Sequence, residues 1–143
     1  MPTAEQAHRP AGTRCSIEAG VHDGANVLRV GGEIDVLTAP ALDAAITDVM
    51  AADDAALGVV VDLSAVSFLA SAGLAVMAAA AQSASRGNRL VVVANNSATL
   101  RPMQVTGLTG LLSVCATVTQ ACVALRGGRA AVDEVTGSVE ASG

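Results

Sequence analysis

The chain has no Lys, Trp or Tyr and a single Phe in 143 residues. With no aromatic platforms for stacking bases, eight scattered Arg residues and a net charge of −5, it lacks the clustered cations that nucleic-acid binding requires. The all-arginine basic set reads as codon bias. Long apolar runs are also missing. The longest, Ala72 to Ala81, falls well short of the ~20 residues of a spanning helix. Met1 to Thr13 has no apolar centre and carries Glu5, His8 and Arg9, so it does not read as a signal peptide, and the expected setting is cytoplasmic. The three cysteines, Cys15, Cys115 and Cys122, fit no metal-ligand spacing and would stay as thiols in a reducing compartment. Cys115 and Cys122 read as small buried hydrophobes, with a redox pair as the lesser alternative. His8 lies in the leader and His22 beside a turn, so neither reads as a base or a metal ligand. There is no phosphate-loop glycine motif and no assembled nucleophile, base and oxyanion stabiliser. A non-enzyme with no cofactor and no metal is expected.

What is present is an aliphatic core. Apolar residues make up 52% of the chain, mostly Ala, Val and Leu. That suffices for one domain built on close helix–sheet approach. Met1 to Thr13 reads as a disordered leader, residues 14–126 as the domain, and residues 127–143 as a flexible acidic tail. Cys15 to Val21 and Asn26 to Gly31 read as strands joined by His22-Asp23-Gly24-Ala25, a hairpin signal. Thr38 is the expected cap of a first helix that carries Leu42, Ile46 and Val49 or Met50 and ends near Asp53-Asp54.

Gly58 to Leu63 reads as a strand buried on both faces, because it does not alternate. Asp62, at its end, is expected to accept backbone hydrogen bonds. Ser64 to Ala70 reads as a connection. A second helix follows from Ser71 to about Ser85, stopped by Gly87, with Leu74, Met77 and the alanines toward the sheet. Arg89 to Ala94 continues as a strand. Asn95-Asn96-Ser97 reads as a turn and cap for a helix to about Thr106, closed by Gly107. Leu111 to Cys115 and Thr117 to Leu125 complete the alternation. The pattern calls for an α/β fold: a mixed, mainly parallel sheet of four to five strands flanked by about four helices.

Ser71 would stand at a helix N-terminus, among unpaired N–H groups and the positive end of the helix dipole. Such a serine can be a structural cap, a phosphate acceptor, or both. Asp35 follows the second strand and can be an exposed turn carboxylate or part of a site beside the next strand's exit.

The stretch Val61-Asp62-Leu63-Ser64-Ala65-Val66-Ser67-Phe68-Leu69-Ala70-Ser71-Ala72-Gly73-Leu74 resembles the signature of the STAS domain family, of the bacterial anti-sigma factor antagonist type. Gly32-Glu33-Ile34-Asp35 with Thr38-Ala39-Pro40 resembles a second family block, and the likeness spans roughly Ser16 to Leu125. It departs at Ala70, where the family carries an acid, and at Ala72, where it carries a hydroxyl. The resemblance implies that the unmodified chain binds an anti-sigma factor with a histidine-kinase-like ATPase fold and so frees a sigma factor. Phosphorylation of Ser71 would block that binding and a phosphatase would restore it. The implied contact surface holds Glu33, Asp35, Ser67, Ser71, Gly73 and Leu74, and a weak homodimer is left open. The rival reading is an unphosphorylated STAS docking subunit of a transporter or signalling assembly, made more credible by Ala70. A small nucleotide-binding enzyme is disfavoured by the missing phosphate loops.

Overall fold

A computed structural model describes residues 15–51, 58–84 and 89–126. The expected leader and tail, and the expected helix stops at Asp53-Asp54, Ser85 and Gly87, lie outside the described residues. Strand β1 (Cys15–His22) turns back into β2 (Ala25–Ile34) with His22 opposite Ala25. The two residues between them, Asp23 and Gly24, both have positive φ, at 51° and 85°. This primed turn matches the twist of the flanking strands and accounts for the Asp-Gly pair.

The chain continues as α1 (Ala39–Ala51), β3 (Val59–Leu69), α2 (Ser71–Ala84), β4 (Leu90–Val93), α3 (Ser97–Val105), β5 (Ser113–Cys115) and α4 (Val118–Arg126). A short 3₁₀ turn, Leu108–Gly110, precedes β5, so the final strand starts later than the aliphatic run suggests. The sheet order is β1-β2-β3-β4-β5, antiparallel only at the hairpin. The mainly parallel α/β architecture is therefore as expected.

Period-two packing explains the unbroken aliphatic strands. Leu28, Val30, Val59, Val61, Leu90 and Val92 pack on one face with Leu42 and Ile46 of α1, Met77 of α2 and Met103 of α3. Val27, Val60, Val91 and Val93 pack on the other face with Ala121, Cys122 and Leu125 of α4. Both faces are covered, so neither set can be polar. No helix among the described residues is long and apolar enough to cross a membrane.

The connection expected over Ser64 to Ala70 is instead the second half of β3. It stays paired to β2 through two irregularities, between Arg29 and Gly31 and between Gly32 and Glu33. At each, β3 carries one extra residue, which resets the alternation. Leu63, Val66 and Leu69 are consequently all buried at a spacing of three, while Ser64, Ala65, Ser67 and Phe68 are exposed. Strand β4 pairs only with Val59 to Asp62, so this half of β3 projects past it. Asn96 occupies part of the open edge. Its amide nitrogen donates to the carbonyls of Ser64 (3.2 Å) and Val66 (3.3 Å), while its oxygen caps α3 at the Thr99 N–H (3.1 Å).

Candidate functional site

The carboxyl ends of β2 and β3 form one platform. Glu33 lies opposite Phe68 and Ile34 opposite Leu69, and the Ala70 N–H donates to the Ile34 carbonyl at 2.9 Å. The β2–α1 loop and the start of α2 therefore leave the sheet side by side, bringing Glu33, Asp35, Ser67 and Ser71 to one end of the molecule. Ser67 is exposed, and its hydroxyl ties back to the Gly32 carbonyl at 3.3 Å.

Asp35 is more than an exposed turn carboxylate. Its Oδ1 accepts the N–H groups of Leu37 (2.9 Å) and Thr38 (3.1 Å). Thr38 stands at the start of α1, with its carbonyl accepting the Leu42 N–H at 3.3 Å. Its hydroxyl does not cap forward as expected. It donates to the Glu33 carbonyl and accepts the Asp35 N–H, both at 2.9 Å. Those backbone groups lose their sheet partners as β2 ends, and the Thr38 hydroxyl is the polar group that reaches them. The closed loop turns its two apolar residues outward, with Val36 73% and Leu37 69% exposed.

The expected capping role for Ser71 needs correction by one residue. The N–H groups of Gly73 (2.9 Å) and Leu74 (3.0 Å) bond to the Ala70 carbonyl, so Ala70 holds the cap position and Ser71 is the first helical residue. A methyl group cannot cap. The first turn of α2 thus has no side-chain acceptor from residue 70, its Gly73 and Leu74 N–H groups turning to the Ala70 carbonyl instead, and Ser71 stands exposed at its start. Its hydroxyl makes no hydrogen bond to another described residue.

Gly73 is buried, and its role is close approach. A Cβ there would lie 2.6 Å from Ile34 Cγ2 and 2.7 Å from Leu69 Cδ1. Leu74 is half-buried against the same core. These two residues seat the helix start more than they face outward. The residues overlooked in the sequence are Val36, Leu37 and Phe68, the last 51% exposed. An apolar pair inside a turn and the lone aromatic were the available signals.

Asp62 behaves as expected, accepting the Ser64 N–H (3.0 Å) and the Ser64 hydroxyl (2.5 Å). Cys15, Cys115 and Cys122 are free thiols, Cys122 buried and Cys115 half-buried against the same cluster. Burial pushes all three thiols up, aided at Cys15 by the Asp35 carboxylate.

A family model, the STAS domain, matches residues 16–121. The chain belongs to the STAS domain family. This STAS domain is 44% identical over 108 residues to the anti-sigma-F factor antagonist RsfB of Mycobacterium tuberculosis, covering 76% of the chain and 87% of that protein. The crystal structure of an anti-sigma factor antagonist from Mycobacterium paratuberculosis is 41% identical, with a TM-score of 0.72 over 78% of this chain and 94% of that one. The anti-sigma factor antagonist SpoIIAA in its unphosphorylated form, at 18% identity and a TM-score of 0.63, covers 78% of this chain and 97% of its own, and shares the fold.

Proposed function

We propose that this STAS domain is a cytoplasmic anti-sigma factor antagonist, switched by phosphorylation of Ser71. It binds its anti-sigma factor through Glu33, Asp35, Ser67 and Ser71 together with the apolar side chains of Val36, Leu37 and Phe68. The similarity to named antagonists supports the class of function. The observation that carries the switch is an exposed hydroxyl at an uncapped helix start, on the same end of the molecule as three exposed apolar residues.

The partner is an anti-sigma factor with a histidine-kinase-like ATPase fold, and it supplies ATP. A bond forms between Ser71 Oγ and the γ-phosphorus as the bond to the bridging oxygen of ADP breaks. The hydroxyl proton passes to a base on the kinase. A phosphatase reverses the change by hydrolysis. The phosphoserine carries about −1.5 to −2 charge at neutral pH, which the N–H groups of α2 tolerate in the free protein. In the complex, that charge would be enclosed beside apolar side chains and strip its own hydration, so binding is lost.

The test pairs phosphopeptide mapping with binding titration. Wild type incubated with the cognate anti-sigma factor and ATP is modified at Ser71, and Ser71→Ala is not. Ser71→Glu loses binding while unfolding at nearly the wild-type denaturant concentration. Equal labelling of wild type and Ser71→Ala overturns the assignment. Ala70 favours one other reading, a constitutive docking subunit. Partner binding that ignores both ATP and Ser71→Glu would establish that reading instead.

A further inference from the structure

The opposite end of the sheet holds a second cluster, formed by residues that sequence spacing kept apart. His22 and Asp23 belong to the hairpin turn, and Cys122 comes from α4, one hundred positions later. The His22 imidazole, the Asp23 carboxylate and the Cys122 thiol place one ligand atom each within 4.8 Å of one another. We infer that His22, Asp23 and Cys122 form a binding site for a borderline divalent cation of the zinc type. This site is independent of the partner surface proposed above.

Geometry and ligand chemistry carry the inference together. Zinc bonds of about 2.0–2.3 Å to sulfur, nitrogen and oxygen set tetrahedral ligands about 3.4–3.7 Å apart. His22 Nε2 and Asp23 Oδ2 already stand 3.5 Å apart. Both side chains are partly exposed and can close the remaining distance by rotamer change. Cys122 is the fixed member, buried in the cluster that packs α4 on the sheet. Its sulfur lies 3.5 Å from the His22 carbonyl, directly under the turn. A thiolate, an imidazole and a carboxylate suit zinc and exclude magnesium or calcium, which take oxygen ligands. A water would complete four-coordination.

Binding releases the thiol proton to solvent and leaves a thiolate and a carboxylate to neutralise the cation. Arg126 Nη1 is 3.9 Å from Asp23 Oδ2, at the outer limit of an exposed ion pair, and can yield to the metal. A bound ion would add a metal crosslink between the hairpin and α4, two elements that already touch through apolar packing and the Cys122–His22 contact.

The test uses the full chain without an affinity tag, reduced and stripped by chelator, titrated with Co²⁺ and then Zn²⁺. The expected result is a thiolate-to-cobalt charge-transfer band that saturates at one equivalent and is bleached by zinc. Cys122→Ser abolishes the band, and the double variant Cys15→Ser/Cys115→Ser keeps it. His22→Gln and Asp23→Asn each weaken affinity about tenfold or more. These two substitutions lie on the surface, so they carry the test if Cys122→Ser fails to fold. Absence of a thiolate band in the wild type overturns the inference. So does a band that survives in folded Cys122→Ser, or an affinity unchanged in both surface variants.

Discussion

The two ends of the sheet handle their polar groups in opposite ways. Where β2 and β3 finish, the backbone absorbs them. Asp35 and Thr38 close their loop inward, Ala70 offers only its carbonyl, and what faces solvent mixes the apolar Val36, Leu37 and Phe68 with the Ser67 and Ser71 hydroxyls. Where β1 turns into β2, side chains make the ties themselves. Asp23 meets His22 and Arg126, the Cys122 thiol donates to the His22 carbonyl, and the Arg89 guanidinium donates to the Leu125 carbonyl at the end of α4. One end is free to be covered by something else, and the other is a fastening between elements of the same chain. Substitutions of exposed side chains should therefore register as binding at the first end and as no more than small changes of stability at the second, while buried positions at either end register as stability.

The largest effect is expected at Phe68. Phe68→Ala should weaken anti-sigma factor binding by about 2–4 kcal/mol, as a central aromatic contact does, with stability changed by no more than about 0.5 kcal/mol. Calorimetric titration beside urea denaturation measures both. Loss of stability without loss of binding would erase the contrast between the ends. Gly73→Ala comes next, destabilising by about 1–3 kcal/mol because the new methyl meets Ile34 and Leu69. That overpacking outweighs the gain of about 1 kcal/mol from replacing a helical glycine. A raised denaturation midpoint would mean that α2 can shift away from the sheet.

Ala70→Asp should stabilise by about 1 kcal/mol, since a carboxylate at the cap position accepts the early N–H groups of α2 and favours its dipole. Unchanged stability would show that those groups are already satisfied. Arg126→Ala, at the other end, should cost less than about 1 kcal/mol and leave partner binding untouched. The smallest effect is a pH slope. Burial, reinforced by Asp23 and opposed by Arg126, raises the Cys122 thiol in the folded chain above its ordinary value of 9.0. As pH rises, the unfolded chain gives up this proton first. Stability is then complete below about pH 8 and declines between the unfolded and folded values. Cys122→Ala should flatten that decline in denaturation scans from neutral to alkaline pH.

The sequence made the architecture readable wherever burial on both faces forces a continuous aliphatic run, as in Val59–Val61 and Leu90–Val93. It also marked the hairpin through Asp23-Gly24 and the α3 cap through Asn96. It did not reveal the length of β3, because the extra residues opposite β2 disguise a paired strand as an irregular segment. The cap at α2 was misplaced by one residue, since a backbone carbonyl leaves no residue-type signal. Thr38 was assigned to the right place, but the direction of its hydroxyl depends on which backbone groups the neighbouring strand abandons. Val36, Leu37 and Phe68 escaped notice because outward orientation of an apolar side chain is a tertiary property. His22 and Cys122 meet only through the packing of α4 beneath the hairpin turn.

The projection of β3 beyond β4 has a kinetic consequence. From Ser64 to Leu69 the strand has β2 on one side and, among the described residues, no second strand on the other, where the Asn96 amide bonds two carbonyls, so fewer hydrogen bonds hold this half than the first. Amide protons there should exchange with solvent well before those of Val59–Asp62, which are held between two strands. Val66 and Leu69 still anchor this half in the aliphatic core, so the earlier exchange is confined to its backbone amides and leaves the core packing closed. On the switch proposed above, a kinase would meet Ser71 beside a strand edge whose amides already exchange with solvent, without waiting for the domain to unfold.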